Sequence, residues 1–369
     1  MTASEADALR QAVREFFEAV SPSTRVRELM ATEAGFDRTS WVQMANELGL
    51  HGIAVPEQYG GAGAGLPELA VVFEEMGAAL LCAPFFSTVA LAVPTLLTSG
   101  DEGAMQQYLP ALVDGSETAT AVLNGSLDAW DPAAVSLTAR RDGPGYRLSG
   151  RAERVLDGHT ANVILAVANT TNGTSLFAVR APSEGLDRQP LATLDRTRKV
   201  AALSFDGVPA TLIGTDGGAA AGLERAYRVA VIALAAEQVG AAQRCLDMAV
   251  TYSRERIQFG RSIGSFQAVK HRCADMLVLL EGARSAAAHA AGLRDGDDQA
   301  VAASVAKMVC SEAFLEVALD NMRIHGGIGF TWEHDAHLYM RRAKTTQLIF
   351  GTPDHHAQRL ATLVTSSSP

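Results

Sequence analysis

The chain has 369 residues, 48% of them hydrophobic and 20% charged, enough for two or three packed layers around a large core. Its formal net charge of −10 argues against non-specific nucleic-acid binding, which needs Lys and Arg to displace counterions from phosphates. Scattered cysteines without zinc-type spacing, an N-terminus without signal character and no uninterrupted apolar run of roughly 18 residues suggest reduced thiols in a cytoplasmic protein with no membrane span.

In chain order, residues 1–115 read as a helical domain. Ser4 opens a Ser-Glu-Ala-Asp capping pattern, and Leu9, Val13, Phe16 and Phe17 follow at helical spacing. A glycine-rich loop, 59–65, precedes a helix predicted over 67–80, with Pro67 in the first turn, where its missing N–H costs nothing. Residues 116–215 change texture. Short Val/Leu/Thr-rich runs at 118–123, 135–140, 146–148, 163–168, 175–179 and 201–205 alternate with turn signals such as Asp142-Gly143, Asn172-Gly173 and Asp206-Gly207. That spacing predicts an antiparallel barrel or sandwich. Residues 216–369 are helical again. Val269, Cys273, Met276, Leu277 and Leu280 form one predicted apolar stripe, and Val301, Val305, Met308 and Val309 another. Long amphipathic helices with short connections predict a four-helix bundle, so the fold class is α+β with three domains.

Two segments carry chemistry. The first runs from Tyr252 to Gln267 and includes Arg256, Gln258, Phe259, Gly260, Ile263 and Phe266. One helix is expected to stop near Phe259-Gly260 and another to start at Ser265. Arginines at a helix end are explained by the dipole; Arg256 equally supplies a bidentate clamp on a phosphate, with Phe259 as an apolar plate beside a ring. The second segment is Arg323-Ile-His325-Gly326-Gly327-Ile-Gly329. A helix cap accounts for one of these glycines. Several together suggest close backbone approach, as a pyrophosphate cradled by N–H groups requires. No strand–GxGxxG–helix unit or GxxxxGK[ST] motif is present.

In this order, about 65 residues apart by sequence position and within a helical C-terminal region, the two segments resemble the acyl-CoA dehydrogenase family. The likeness extends to Pro56-Glu-Gln-Tyr-Gly60-Gly61, Ala236-Glu-Gln-Val-Gly240 and Arg341-Arg-Ala-Lys-Thr-Thr-Gln347. It implies FAD, an acyl-CoA substrate and an electron acceptor such as electron-transfer flavoprotein. A carboxylate removes the α-proton acidified by the thioester, and the β-hydrogen leaves as hydride to the flavin. The resemblance also implies an oligomer. Arg256, Gln258, Phe259, Ile263, Phe266, Gln267, Arg323, Gly326 and Gly327 match residues that reach a neighbouring subunit's FAD.

The chain departs from the family at the base. Phe350 stands where the commoner Glu is expected, and Ala230 at the alternative position, followed by Val231 where many members have Arg. Substitute carboxylates are Glu237, nearly two turns beyond Ala230 on a helix and more simply read as a buried residue satisfied by a neighbour, and Asp354. His355 and His356 lack a third metal ligand in sequence. The middle domain departs as well. Asn124-Gly125-Ser126-Leu-Asp128 and Arg154-Val155-Leu156 replace segments that touch the isoalloxazine in complete members. The resemblance is therefore to the smaller, base-less subunit of α2β2 complexes, known from bacterial breakdown of sterol side chains. A homologous partner supplying the cradle and the Glu is the expectation. A self-sufficient homo-oligomer with an atypical base and a non-enzymatic scaffold are the alternatives.

Overall fold

The computed structural model describes residues 3–366. Two compact units divide the chain, one from 3–26, 70–81 and 231–366, the other from Arg27–Leu69 and Cys82–Ala230.

In the first unit, α1 (Ala3–Val20) buries Val13 and Phe17, one apolar face of the predicted spacing. Ser4, expected to cap this helix, already lies inside its first turn. The second half of α4 (Leu66–Ala78) crosses α7 (Ala220–Glu255) at two glycines. A Cβ on Gly77 would sit 2.0 Å from Glu237 O, and one on Gly240 would sit 1.7 Å from Glu74 O. Glycine at both positions lets the two backbones touch. The chain continues through α8 (Gln267–Gly292), α9 (Asp297–His325), α10 (Ala336–Leu348) and α11 (Pro353–Ser366). Central α9 packs on α8, α10 and α11 and meets α7 where Gln238 Nε2 donates to Ser311 Oγ at 3.1 Å. The buried stripe of α8 is Met276, Leu280, Ala283, Ala287 and Ala290, whereas Leu277, expected inside, is exposed. Alanine side chains let α9 approach closely, which turns the core face away from the larger residues. The same shift makes Val301, Val305, Met308 and Val309 only half-buried while Ala302, Ala306 and Phe314 form the core. Helix α7 is long and apolar enough to cross a membrane, but 83% of its apolar stretch is buried, as in a core helix.

The second unit carries short helices, among them α2 (Ser23–Ala31), whose first residues belong to the other unit, α3 (Arg38–Asn46), α5 (Val93–Leu97) and α6 (Glu102–Val113). Asp37 and Asp101 cap α3 and α6, accepting from Ser40 N–H and Ala104 N–H, each at 2.9 Å. The strands are β1 (Ala119–Val122), β2 (Leu137–Asp142), β3 (Gly145–Leu156), β4 (Val163–Thr170), β5 (Gly173–Arg180), β6 (Leu186–Pro190) and β7 (Val200–Ile213). Pairings β4–β2, β2–β3, β3–β7, β7–β5 and β5–β4 close a ring, with β1 extending along β4 and β6 along β7. The domain is thus the expected barrel, filled by Leu137, Leu148, Ile164, Phe177, Leu203 and Val208. It is not antiparallel throughout, because β1 and β2 both run parallel to β4. Asp206-Gly207, read as a turn between strands, lies inside β7. There the register slips between Leu148 and Ser149, and Gly207 takes φ +63°. It is a bulge that bends the strand around the barrel.

Candidate functional site

Helix α7 ends at Glu255, a few residues before the predicted stop. The chain then forms a minimal hairpin, β8 (Ile257–Gln258) with β9 (Arg261–Ser262). Arg256 anchors its base, donating its N–H to Tyr252 O and accepting from Ile263 N–H, both at 2.9 Å. The turn places Phe259 at φ +53° and Gly260 at φ +75°, as a tight right-twisting hairpin demands. Phe259 is 90% exposed and touches Phe266 edge-on at 6.0 Å. Arg261 covers the other ring, 4.1 Å from the Phe266 centroid. Ile263 begins a single 3-10 turn, and Gln267 opens α8 with its amide 2.7 Å from His271 Nε2. Arg256 and Gln258 are exposed.

The second segment ends α9. Gly326 caps the helix at φ +63°, donating its N–H to Arg323 O and Met322 O. Gly329 is a packing glycine, since a Cβ there would lie 3.0 Å from Met322 O. Gly327 differs from both. Its φ is not positive, and an added Cβ would meet no atom within 4 Å. Neither conformation nor crowding inside this chain calls for glycine at 327. Beside it, Ile328, Phe330 and Trp332 are exposed. Arg323 is held by Asp320 at 2.7 Å, a carboxylate shared with Arg272, and that partner raises its pKa further. Contact between Tyr252 and His325 rings joins the ends of α7 and α9, so the two sequence segments form one exposed arm.

The positions where the resemblance puts the base hold no carboxylate. Phe350 is buried at φ +58°, with its carbonyl accepting from His356 Nε2 at 2.8 Å. Ala230 is fully buried on α7. Glu237 pairs with Arg342 Nη1 at 2.6 Å, both side chains about 1% exposed. Asp354 lies exposed in the first turn of α11. Among the described residues, no three His, Cys, Asp or Glu side chains are grouped to hold a metal.

In the barrel, the two altered segments are tied to one another. Arg154 Nη2 donates to Asp128 at 3.3 Å, and Asn124 Nδ2 donates to Ala129 O at 2.7 Å. The Leu156 side chain is buried, and its carbonyl accepts from Thr120 Oγ1 at 2.6 Å. Leu156 has no hydroxyl to offer a flavin, and Arg154 is no aromatic plate.

Sequence reasoning missed two features of the first unit. Lys307 is fully buried and donates to Ser311 Oγ, Thr346 O and Gln347 O at 2.9, 2.9 and 3.1 Å. Burial pushes its amine down to about 7. Its only sequence signal is a lone charge in the apolar run 301–310. A cavity of about 830 Å³ is lined by Arg10, Arg14, Glu74, Glu75, Arg244 and Tyr339, among others. Its walls include no residue of the arm and not Phe350, and Arg10–Glu74 (2.6 Å) and Arg14–Glu75 (2.9 Å) pair four of its charged groups with one another.

The order of helices, small barrel and helices along the chain, with the hairpin and glycine turn at the ends of α7 and α9, is that expected of an acyl-thioester dehydrogenase. The description "Acyl-CoA dehydrogenase, N-terminal domain" matches residues 3–116, and "Acyl-CoA dehydrogenase, C-terminal domain" matches residues 222–364. Acyl-CoA dehydrogenase IpdE2 of Mycolicibacterium smegmatis is 33% identical over 356 residues, 96% of this chain and 97% of that one. A variant of the Tcur3481-Tcur3483 steroid ACAD superposes with a TM-score of 0.87 at 33% identity, covering 98% of each chain. The ChsE4-ChsE5 complex from Mycobacterium tuberculosis gives a TM-score of 0.89 at 30% identity, over 100% of this chain and 99% of that one. The chain belongs to the acyl-CoA dehydrogenase family and is an oxidoreductase of that type.

Proposed function

We propose that this chain completes the FAD site of a homologous partner subunit, which supplies the flavin cradle and the catalytic Glu for α,β-dehydrogenation of an acyl-CoA. The observation that carries this reading is Gly327, a glycine that nothing inside the chain requires, in the segment that the Tyr252–His325 contact joins to the hairpin of the exposed Phe259. Arg256 would clamp a phosphate of the partner's FAD, Phe259 would cover one of its rings, and the open backbone at Gly326 and Gly327 would admit its phosphates or adenosine. The chemistry FAD supplies is acceptance of hydride from the acyl β-carbon. This chain's own barrel fits a flavin poorly, given the Arg154–Asp128 pair and the buried Leu156. A homo-oligomer with an atypical base finds no support in the site, because Glu237 is committed to Arg342 and Asp354 faces solvent. The steroid ACAD likeness favours a bulky, steroid-type acyl group as substrate.

The test is to express the chain alone and with its genomic neighbour, then measure flavin absorbance and native mass. Flavin that appears only on co-expression, one per heterodimer, supports the reading. Full flavin loading and acyl-CoA turnover by the chain alone would overturn it.

A further inference from the structure

Three rings from three segments touch in a continuous row within the first unit. Tyr252, in the last turn of α7, lies on His325, the last residue of α9, with centroids 4.3 Å apart and planes at 27°. His325 meets His334, which precedes α10, at 4.2 Å and 43°. His325 is only 4% exposed.

Hydrogen bonds fix the two imidazoles. Asn321 O can only accept, so His325 carries its proton on Nδ1 and donates it at 2.8 Å. Ala336 N–H can only donate, so His334 Nδ1 accepts it at 3.1 Å. Each ring is also one step from the arm or its neighbour. The carbonyl of Tyr252 holds Arg256 N–H, Gly326 follows His325 directly, and His334 lies two residues before α10, the helix that leads to Phe350. The hairpin itself has only two residues in each strand, too few to hold a position unaided.

We propose that Tyr252, His325 and His334 form an aromatic clamp that locks the Arg256/Phe259 hairpin and the Gly326-Gly327 turn in one register. Tyr252 and His325 are then positioning residues for flavin contact, which rests on the reading of the arm given above. The clamp spans segments 73 residues apart in sequence and converts two short flexible loops into one surface with fixed spacing between cation, aromatic plate and glycine backbone.

Reciprocity distinguishes a clamp from two locally packed rings. In the full chain, backbone hydrogen exchange is followed at residues 256–263 and 326–331. His325→Ala, on α9, should speed exchange in the hairpin at least tenfold, and Tyr252→Ala, on α7, should do the same at the glycine turn. Tyr252→Phe, which keeps the ring, should restore wild-type protection, and the melting temperature controls for global loss. Loosening confined to each variant's own helix end would overturn the clamp, as would failure of Tyr252→Phe to restore protection. In the co-expressed complex, His325→Ala should also lower flavin retention at least tenfold. If the exchange effects are reciprocal but Arg256→Ala leaves flavin retention unchanged, the clamp stands and the flavin reading of the arm falls. If Arg256→Ala loses flavin while both clamp variants retain it, the clamp is wrong as a positioning device and the flavin reading survives.

Discussion

Replacing Lys307 by Met should change how stability depends on pH, and the structure gives the size of the change. The amine is fully buried, its three hydrogen-bond partners are neutral, and two of them are the terminal carbonyls of α10. The helix dipole favours a cation there, yet desolvation dominates and depresses the pKa from 10.5 to about 7. The folded protein therefore releases the proton before the unfolded chain does. Stability from this group is fully present above the unfolded value and is lost as pH falls through about 7. Between pH 7 and about 8.5 the slope is at most about 1.4 kcal/mol per pH unit, which sums to about 2 kcal/mol. For 369 residues that corresponds to a rise of roughly 2–3 °C in melting temperature. Neighbouring groups stay silent in this window, since burial holds His356 near 4 and Cys310 near 12. The assay is thermal unfolding of wild type and Lys307→Met across this range. The wild-type curve should climb relative to the variant; parallel curves would refute the assignment of an amine depressed by desolvation.

Arg342→Met leaves Glu237 as a buried charge without its partner at 2.6 Å, and should destabilise the first unit by about 3–5 kcal/mol. The double variant with Glu237→Leu should recover most of that loss in denaturant unfolding. Gly327→Ala adds a methyl that meets nothing within 4 Å, so the melting temperature of the chain alone should stay within about 1 °C or rise slightly. Flavin retention in the co-expressed complex should nevertheless fall, as measured by absorbance after desalting; unchanged retention would remove the main support for the partner-flavin reading.

What could be read from sequence was what periodicity and turn chemistry encode. Pro67 at the start of α4 and Asn172-Gly173 between β4 and β5 both fall where expected. Strand β6 was missed because its burial pattern is largely exposed and it pairs only along β7, an edge where Pro190 is tolerated. Residue size misled on α8 and α9, where alanine and not the larger aliphatics makes the closest helix contacts. In the candidate site, Phe259 and the glycine segment are readable as motifs, and Phe350 as the residue standing where the resemblance expects a Glu. The Tyr252–His325–His334 row and the partners of Lys307 were not, because they depend on which helix ends meet in space.

Backbone strain offers an independent argument about Phe259. Among the described residues, four non-glycine residues have positive φ: Leu80, Asp157, Phe259 and Phe350. Such a conformation costs about 1–3 kcal/mol. Leu80 and Phe350 are each 2% exposed, and burying such side chains returns about 1.5–3 kcal/mol, enough to offset the strain. Phe259 is 90% exposed, and its visible compensation is the edge contact with Phe266 at 6.0 Å, worth about 1 kcal/mol at most. The strain at Phe259 is thus nearly uncompensated within the chain, as expected for a residue whose burial comes from another molecule. Phe259→Gly relieves the strain and loses the edge contact, so stability of the chain alone should change by no more than about 1 kcal/mol. Phe350→Gly, by contrast, should cost about 3–5 kcal/mol through the cavity it leaves. In the co-expressed complex, Phe259→Gly should weaken flavin binding measurably by fluorescence titration. A large stability loss in the isolated chain would mean that Phe259 is compensated internally after all, and its exposure would then say nothing about a partner.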